Sequence, residues 1–301
     1  MAEPKPIAPE YSLLRPSLAA GAGEAAAREL TGQPGAVRTF QEVSVERWCD
    51  GKLQQARDQV AEEVPVALTY HGVPHVVMLA TPANLEDLAV GFTLSEEIVA
   101  RRDEIMSVES AARDDGALEV RIGIAAERFS GLLRRQRNMT GRTGCGLCGA
   151  QTVEDAIRNP QAVGSGMSVS NAALHAALQD LQRWQQINLL TGSVHAAAWV
   201  LPDRGIQLVR EDVGRHNALD KVIGAVARSN ADFSAGYFLV TSRASYEMVQ
   251  KTATVGAPFI AAVSAPTAFA IRLAEATGVT LVGFLREKQH VVYANASRLL
   301  P

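Results

Sequence analysis

The stretch YFLVTSRASYEMVQKTATVGAPFIAAVSAPTAFAIRLAEATGVTLVGF, residues 237–284, decides the fold. Three short apolar runs in it predict strands, at Tyr237–Thr241, Phe259–Val263 and Thr280–Phe284. The two intervals between them have helical periodicity and predict helices at Tyr246–Val255 and Ala268–Ala276. Strands that alternate with helices of about ten residues indicate βαβ units. We therefore predict an α/β fold with a mainly parallel sheet that helices cover on both faces.

Further elements are predicted on the amino-terminal side of this stretch. Nearest to it are a helix at Asn217–Arg228 and a pair of strands, His195–Val200 with Ile206–Arg210. A helix that Ser170 caps and that ends near Gln186 precedes these strands, and a short helix at Thr152–Ile157 comes before it. Before these we predict a hairpin of Val64–Tyr70 with Val76–Ala80, followed by a helix that Asn84 caps and that extends to Ile98. A second hairpin, Val108–Ala112 with Leu118–Ile124, and another helix, Glu127–Arg135, come next.

Changes of composition along the chain predict its domain organisation. Residues 1–38, rich in Ala, Gly, Pro and Glu, are predicted to be a disordered leader. Residues 39–137 have the pattern of a small α+β domain, and residues 138–150 that of a mobile glycine-rich loop containing a CxxC pair. Residues 151–301 form the larger α/β domain.

Composition limits the possible functions. The chain has 301 residues, of which 47% are apolar, and a net charge of −3, which argues against a protein that binds nucleic acid or anionic membranes with its whole surface. No apolar run reaches the roughly 18 residues that a membrane span requires. Three cysteines are too few for a disulfide framework, so we expect a reducing, cytoplasmic location. A chain this apolar and poor in aromatic residues is expected to form a homodimer.

Polar segments follow four of the predicted strands of the carboxyl-terminal half: 211–217 (EDVGRHN), 242–245 (SRAS), 264–267 (SAPT) and 286–288 (REK). Ligands of α/β sheets bind beyond the carboxyl ends of the strands. Hydroxyl groups, His216, arginines such as Arg243, and free helix N-termini at this edge suit a phosphate-bearing anion. Structural interpretations remain open, since Asn217 with Asp220 resembles a capping pair and both Ser245 and Thr267 resemble plain N-caps.

A dithiol lies in residues 143–149, TGCGLCG, where Cys145 and Cys148 are flanked by glycines. Thiol–disulfide exchange is disfavoured because a helix and a loop, rather than a strand, precede the pair. Zinc is disfavoured because the pair supplies only two ligands, with His195 and His216 as the available additions, and we expect no metal. A sulfur relay, in which a thiolate carries sulfur as a persulfide, suits an exposed pair preceded by several arginines. The third cysteine, Cys49, is expected to be buried.

Several motifs together resemble the FdhD/NarQ family. The dithiol loop and the run REDVGRHNALDK at residues 210–221 carry most of the likeness. Further matches lie in residues 82–98, in TGSVHAA at 191–197, in SRAS at 242–245, in AAVSAPT at 261–267 and in GFLR at 283–286. The likeness extends in order over about residues 40–295.

The resemblance implies a sulfurtransferase that formate dehydrogenase requires for its activity. It implies that Cys145 takes sulfur from a cysteine desulfurase as a persulfide, with Cys148 as its partner. The acceptor would be the molybdenum cofactor, Mo-bis(molybdopterin guanine dinucleotide), before its insertion into formate dehydrogenase, and GDP would be a mimic of that ligand. The family's cofactor-contacting stretch falls on Phe284, Leu285, Arg286, Glu287, Lys288 and Gln289, to which Arg243 and His216 are added from the strand ends.

The resemblance also implies that the larger domain is a three-layer α/β domain similar to the cytidine deaminase fold. Deamination itself is not expected. Such enzymes need a zinc-binding histidine followed by glutamate in the pattern H-x-E, and here the corresponding residues are His195-Ala196-Ala197. An alternative function from another class remains, namely a non-catalytic chaperone of the molybdenum cofactor in which the CxxC pair is structural or binds zinc.

Overall fold

The computed structural model describes residues 38–137 and 160–301. The leader at residues 1–37, the loop at 138–150 with Cys145 and Cys148, and the helix predicted at Thr152–Ile157 lie outside the described residues. The predictions made for those segments therefore stay predictions, as do the predicted domain boundaries.

The first described part contains six strands and two helices: β1 Phe40–Cys49, β2 Lys52–Ala61, β3 Val64–Tyr70, β4 Val73–Ala80, α1 Leu85–Ser95, β5 Ile105–Ala112, β6 Leu118–Ile124 and α2 Ala126–Arg137. Strands β3 to β6 form a four-stranded sheet in the order β4-β3-β6-β5. Both predicted hairpins and both predicted helices are confirmed. Helix α1 is shorter than predicted, and Asn84 precedes it in a left-handed conformation without a side-chain capping bond.

The hairpin of β1 and β2 was not predicted. Its two-residue turn consists of Asp50 and Gly51, both with positive φ, at 48° and 76°. An Asp-Gly pair is the expected turn for such a hairpin, so the sequence did contain the signal. The prediction that Cys49 is buried is wrong, because it lies beside this turn and is exposed, as is Trp48 at 70%.

The second described part contains the remaining elements: β7 Val169–Ser170, α3 Asn171–Trp184, α4 Gln186–Thr191, β8 His195–Leu201, β9 Gly205–Asp212, α5 Arg215–Arg228, β10 Tyr237–Val240, α6 Tyr246–Thr254, β11 Phe259–Ala262, α7 Ala268–Thr277, β12 Thr280–Arg286, β13 Gln289–Ala294 and β14 Leu299–Leu300. All the predicted strands and helices of this part are present. Ser170 caps α3 as predicted, since its side chain accepts a hydrogen bond from the Ala173 N–H.

The large sheet has six strands in the order β13-β12-β11-β10-β8-β9. Only the pairs β10–β11 and β11–β12 are parallel, while β8 is antiparallel to β9 and to β10, and β12 is antiparallel to β13. The prediction of a mainly parallel sheet is therefore wrong, and the sheet is mixed. The reason is that short turns join β8 to β9 and β12 to β13, and a parallel pair needs a longer crossover.

Helices cover both faces of the large sheet, as predicted. One face packs Tyr237, Leu239 and Phe259 against Leu174 and Leu181 of α3. The opposite face packs its side chains, Phe238 and Ile260 among them, into a core shared with α5, α6 and α7. That same core contains residues of the four-stranded sheet, such as Leu68 and Ile122, so the two sheets are joined by continuous apolar packing. Residues 38–137 and 160–301 accordingly belong to one compact unit.

Helices α1 and α5 cross with their backbones in contact. A Cβ atom added to Gly91 would lie 1.7 Å from the Asp220 carbonyl oxygen, and one added to Gly224 would lie 1.9 Å from the Asp87 carbonyl oxygen. Only glycine permits this approach at either position. The crossing fixes α5, which follows the EDVGRHN segment, against the amino-terminal part of the chain. Among the described residues, no helix is long and apolar enough to cross a membrane.

Candidate functional site

Four strand ends meet at one edge of the large sheet. Because β8 is antiparallel to both β9 and β10, strands β9, β10, β11 and β12 all point the same way. The predicted polar segments that follow them therefore share one edge. A bridge pairs Ala244 with Pro266, and the Phe284 N–H donates to the Ser264 carbonyl at 3.2 Å. We call this surface, formed by 211–217, 242–245, 264–267 and 284–289, the carboxyl edge.

Asp212 fixes the EDVGRHN segment at this edge. Its side chain is fully buried, and its Oδ1 accepts hydrogen bonds from the Gly214 N–H at 2.8 Å and from Asn217 Nδ2 at 3.0 Å. Its Oδ2 accepts from the Thr81 N–H at 3.0 Å and lies 2.6 Å from Lys221 Nζ. Lys221, also fully buried, donates in addition to the Thr81 carbonyl at 2.9 Å. The segment is thus locked to the residue that follows β4.

Asn217 is not a helix cap, contrary to the capping interpretation. Helix α5 begins at Arg215, with Gly214 at the N-cap position, so Asn217 lies within the first turn. Besides Asp212, its Nδ2 donates to the Leu79 carbonyl at 2.8 Å. A Cβ atom on Gly214 would lie 2.9 Å from Asn217 Nδ2, which explains the glycine before the helix. Asn217 therefore ties the segment to β4.

Asp220 has a structural role of a different kind. It is buried between three helices, where Ser95 Oγ donates to it at 2.6 Å and Lys251 Nζ lies 3.0 Å from both of its oxygens. Lys251 also lies 2.8 Å from Glu96 Oε1. Burial raises the pKa of Asp220, and the Lys251 charge opposes that rise. These contacts join α1, α5 and α6, so Asp220 fixes the helices that begin at the carboxyl edge.

Glu211 is buried beneath the edge, where it caps α4. Its carboxylate accepts hydrogen bonds from the Ile187 and Asn188 N–H groups, each at 2.8 Å. Burial raises the pKa of Glu211 to about 6, although these two bonds favour the charged form. Glu211, Asp212 and Asn217 of the EDVGRHN segment thus point into the protein and shape it.

The remaining side chains of this segment form a cluster with residues of α6 and β8. His216 Nε2 lies 2.7 Å from Glu247 Oε2, an ion-pair distance, although the two groups are not aligned as a hydrogen bond. His195, the first residue of β8, is half-buried beside them. Burial lowers the pKa of His195, and the charges of Arg215 and His216 lower it further while Asp212 acts in the opposite direction. We call His195, Arg215, His216, Ser245 and Glu247 the His–Arg cluster.

Three of the seven buried side-chain polar atoms that lack a hydrogen-bond partner in the described part of the chain lie in this cluster. Among the side chains of residues 38–137 and 160–301, Arg215 Nε, His216 Nε2 and Ser245 Oγ are all of this kind. Ser245 occupies the N-cap position of α6 without making a side-chain capping bond, so its interpretation as a plain cap is wrong. Thr267, by contrast, caps α7 through a bond from the Ala270 N–H. Buried polar groups without a partner are rare in folded proteins and suit a ligand that supplies the missing hydrogen bonds.

The stretch 284–289 turns from β12 into β13 at the same edge. Phe284 has a φ of 49°, which is unusual for a bulky residue, and the residue is 43% exposed. Leu285 is fully buried, so only its backbone is available to a ligand. Arg286 Nη1 donates to the Val263 carbonyl, which draws its guanidinium back over the end of β11. Glu287, Lys288 and Gln289 are exposed at the turn, and Arg243 is exposed on the segment that follows β10.

Two features of the site were not assigned from the sequence. Glu247 is a single acidic residue in a helical pattern, and nothing in its spacing connects it with His216. Arg215 was included only as part of its segment. The sequence Ser245-Tyr246-Glu247 did contain a signal for Glu247, because it places an acidic residue in the first turn of the helix that begins at the carboxyl edge.

Comparison with known proteins places these features in a family. A sequence model of the FdhD/NarQ family matches residues 61–300. The sulfur carrier protein FdhD of Cupriavidus necator is 53% identical over 261 residues, which cover 87% of this chain and 90% of the relative. The protein of the same name from Xanthomonas euvesicatoria is 48% identical over 256 residues, covering 85% and 91%.

The fold has a solved counterpart. A crystal structure of a protein described as a formate dehydrogenase accessory protein, from Desulfotalea psychrophila, superposes with a TM-score of 0.72 at 21% sequence identity. The match covers 87% of this chain and all of the other. At this identity the likeness supports the mixed α/β fold alone.

Proposed function

Because the chain belongs to the FdhD/NarQ family, we propose that it is a sulfur carrier that serves formate dehydrogenase. The observation that carries this proposal is the match, over most of both chains, to relatives named sulfur carrier protein FdhD. The Cys145-Gly146-Leu147-Cys148 pair supplies a chemical group suited to that task.

In the proposed reaction a cysteine desulfurase donates the outer sulfur of its own persulfide to the Cys145 thiolate. The S–S bond on the desulfurase breaks, a new S–S bond forms on Cys145, and the desulfurase cysteine leaves as a thiolate. No external oxidant or reductant is consumed. The acceptor then attacks the outer sulfur with an electron pair of its own, the S–S bond on Cys145 breaks, and Cys145 leaves as a thiolate beside the Cys148 thiol. A protein that forms this covalent intermediate is a sulfurtransferase.

We further propose that the acceptor is Mo-bis(molybdopterin guanine dinucleotide), held at the carboxyl edge by Phe284, Leu285, Arg286, Glu287, Lys288, Gln289, Arg243 and His216. When bound, this ligand supplies the metal centre that accepts the sulfur. Its phosphate groups suit an edge that carries exposed cationic side chains and buried donors without partners. Phe284, which is half-exposed, offers a ring on which a guanine can stack, so GDP should bind as a mimic.

The remaining expectations, from the family likeness and from composition, belong to the same proposal. They are a cysteine desulfurase as donor, formate dehydrogenase as the enzyme served, a homodimer, and a cytoplasmic location. They also include a likeness of the larger α/β domain to the cytidine deaminase fold. Helices on both faces of the six-stranded sheet support that three-layer arrangement.

The competing proposal is a non-catalytic chaperone of the molybdenum cofactor in which the CxxC pair is structural or binds zinc. The unpartnered donors of the carboxyl edge would serve that function equally well. Metal analysis of the purified protein separates the two. Stoichiometric zinc that is lost in both Cys145→Ala and Cys148→Ala favours the chaperone.

Complementation tests the proposed function. A strain that lacks this gene should regain formate dehydrogenase activity with the wild-type chain and with Cys49→Ala, and should fail with Cys145→Ala. Cys49→Ala is the matched control because Cys49 is an exposed cysteine far from the dithiol in sequence. Full activity from a folded Cys145→Ala protein would overturn the proposal.

A further inference from the structure

Two donors of the His–Arg cluster have no hydrogen-bond partner among the described residues. Arg215 Nε and Ser245 Oγ are both shielded from solvent. Burying a polar group without a partner costs roughly 1–3 kcal/mol, so such groups are rare in folded proteins unless a ligand satisfies them. A guanidinium nitrogen can only donate, and a serine hydroxyl can donate. The missing partner therefore presents acceptor atoms.

The helices that carry these two donors meet at their N-termini. Arg215 is the first residue of α5, and the next residue, His216, reaches Glu247 in the first turn of α6 at 2.7 Å. Ser245 lies two residues before Glu247, at the start of α6. The His216–Glu247 contact thus brings the N-terminus of α5 to the N-terminus of α6. It also pairs the one carboxylate of the cluster with an imidazole.

Both helix N-termini at this place lack a side-chain cap. Helix α5 spans 14 residues and α6 spans 9, and in neither does the N-cap residue accept a bond from the first turn. Helices α3 and α7 are capped in the usual way, by Ser170 and Thr267. Free N–H groups and the positive end of the helix dipole favour an anion. This agrees with the two unpartnered donors, which need acceptors.

We propose that Arg215, Ser245 and the N-termini of α5 and α6 form a phosphate-binding subsite of the carboxyl edge. It is separate from the stretch 284–289, which is the turn between two other strands, and it takes one phosphate or diphosphate group of the ligand. Ser245 and Arg215 donate to the phosphate oxygens. Glu247 is a positioning residue that holds His216 at the rim. The identity of the natural ligand rests on the proposed function, whereas the phosphate chemistry rests on the unpartnered donors.

Isothermal titration of the full-length chain with pyrophosphate tests the subsite. Pyrophosphate should bind, and Arg215→Gln should weaken binding about tenfold or more because a charged donor is lost. Ser245→Ala should weaken it about two- to tenfold through the loss of a neutral donor. Arg215→Lys should fall between the wild type and Arg215→Gln, because it keeps the charge without the planar donors. Arg204→Gln is the matched control, since Arg204 is exposed in the β8–β9 turn at the opposite edge. The affinity of this variant for pyrophosphate should equal that of the wild type.

The comparison of ligands identifies what the subsite recognises. GDP should respond to the same substitutions, and guanosine, which has no phosphate, should not. Unchanged pyrophosphate affinity in folded Ser245→Ala and Arg215→Lys, or no binding of pyrophosphate to the wild type, would overturn the proposal. The titration is repeated on Cys145→Ala, where the subsite should be intact. The titration therefore tests the phosphate subsite, whereas the activity of Cys145→Ala in complementation tests sulfur carriage, and either proposal can fail without the other.

Discussion

Replacing Lys221 by methionine should destabilise the protein strongly. Lys221 Nζ lies 2.6 Å from Asp212 Oδ2, and both side chains are fully buried. Methionine has a similar length but no charge, so the Asp212 carboxylate would remain buried without its counter-ion. Removing one partner of such a pair typically costs about 3–5 kcal/mol. We expect the lower end of that range, because the Thr81 N–H, the Gly214 N–H and Asn217 Nδ2 still donate to Asp212.

Urea denaturation followed by circular dichroism measures this cost, with Asp212→Asn and the double variant completing a cycle. The double variant should be less destabilised than the sum of the two single variants, by about 1–3 kcal/mol, because it removes both charges together. Lys52→Met is the matched control at an exposed position beside the β1–β2 turn, and it should change stability by no more than about 0.5 kcal/mol. A cost below about 1 kcal/mol for Lys221→Met, or strict additivity in the cycle, would show that this pair does not hold the EDVGRHN segment.

Three further predictions concern the helix crossing, the pH dependence and the carboxyl edge. Gly224→Ala should cost about 3 kcal/mol or more in urea denaturation, because the new Cβ would lie 1.9 Å from the Asp87 carbonyl oxygen. Gly131→Ala should be neutral or stabilising, because its new Cβ would meet only Arg134 Nη2, at 4.0 Å, and equal effects of the two substitutions would contradict the close crossing. Burial raises the pKa of Glu211 from 4.5 to about 6, so its proton is held more tightly in the folded state, and this contribution to stability is complete below pH 4.5 and lost as the pH rises through 6. Because Glu211→Gln removes this titration from the variant, the difference in stability between variant and wild type should change by about 2 kcal/mol between pH 4 and 7, and a constant difference would argue against the shift. Arg243→Ala and Arg286→Ala should each weaken GDP binding by roughly 1.5–3 kcal/mol in titration calorimetry, and unchanged affinity in both would remove these residues from the cofactor site.

The alternation of strands and helices was predictable because each element is coded locally. The runs of the βαβ region have the right length and apolar pattern for buried strands, and the structure places each of them within a few residues of the prediction. The direction of pairing is not local. It depends on the short turns that add β8, β9 and β13 as antiparallel neighbours, so the mixed character of the sheet emerged only from the complete topology.

The carboxyl edge could be predicted as a surface because strand order and direction bring the segments together. The separate roles of its residues could not. Asp212, Asp220 and Lys221 belong to a polar run that suggests binding, yet all three are buried in ion pairs: Asp212 and Lys221 pair with each other, and Asp220 pairs with Lys251 of another helix. The same limit applies to His216 and Glu247, whose contact depends on how α5 and α6 pack. The Asp50–Gly51 turn, by contrast, was a local signal that was overlooked.

Mass spectrometry of the Cys145 peptide, after incubation with a cysteine desulfurase and free cysteine, tests sulfur carriage most directly. The protein should carry the Cys49→Ala substitution, so that the exposed cysteine at the hairpin turn adds no signal of its own. We predict that the peptide gains the mass of one sulfur atom, that a reductant removes it, and that Cys145→Ala gains none anywhere in the chain. An unmodified Cys145 under conditions in which the desulfurase turns over, or the same gain in Cys145→Ala, would contradict a persulfide on this residue.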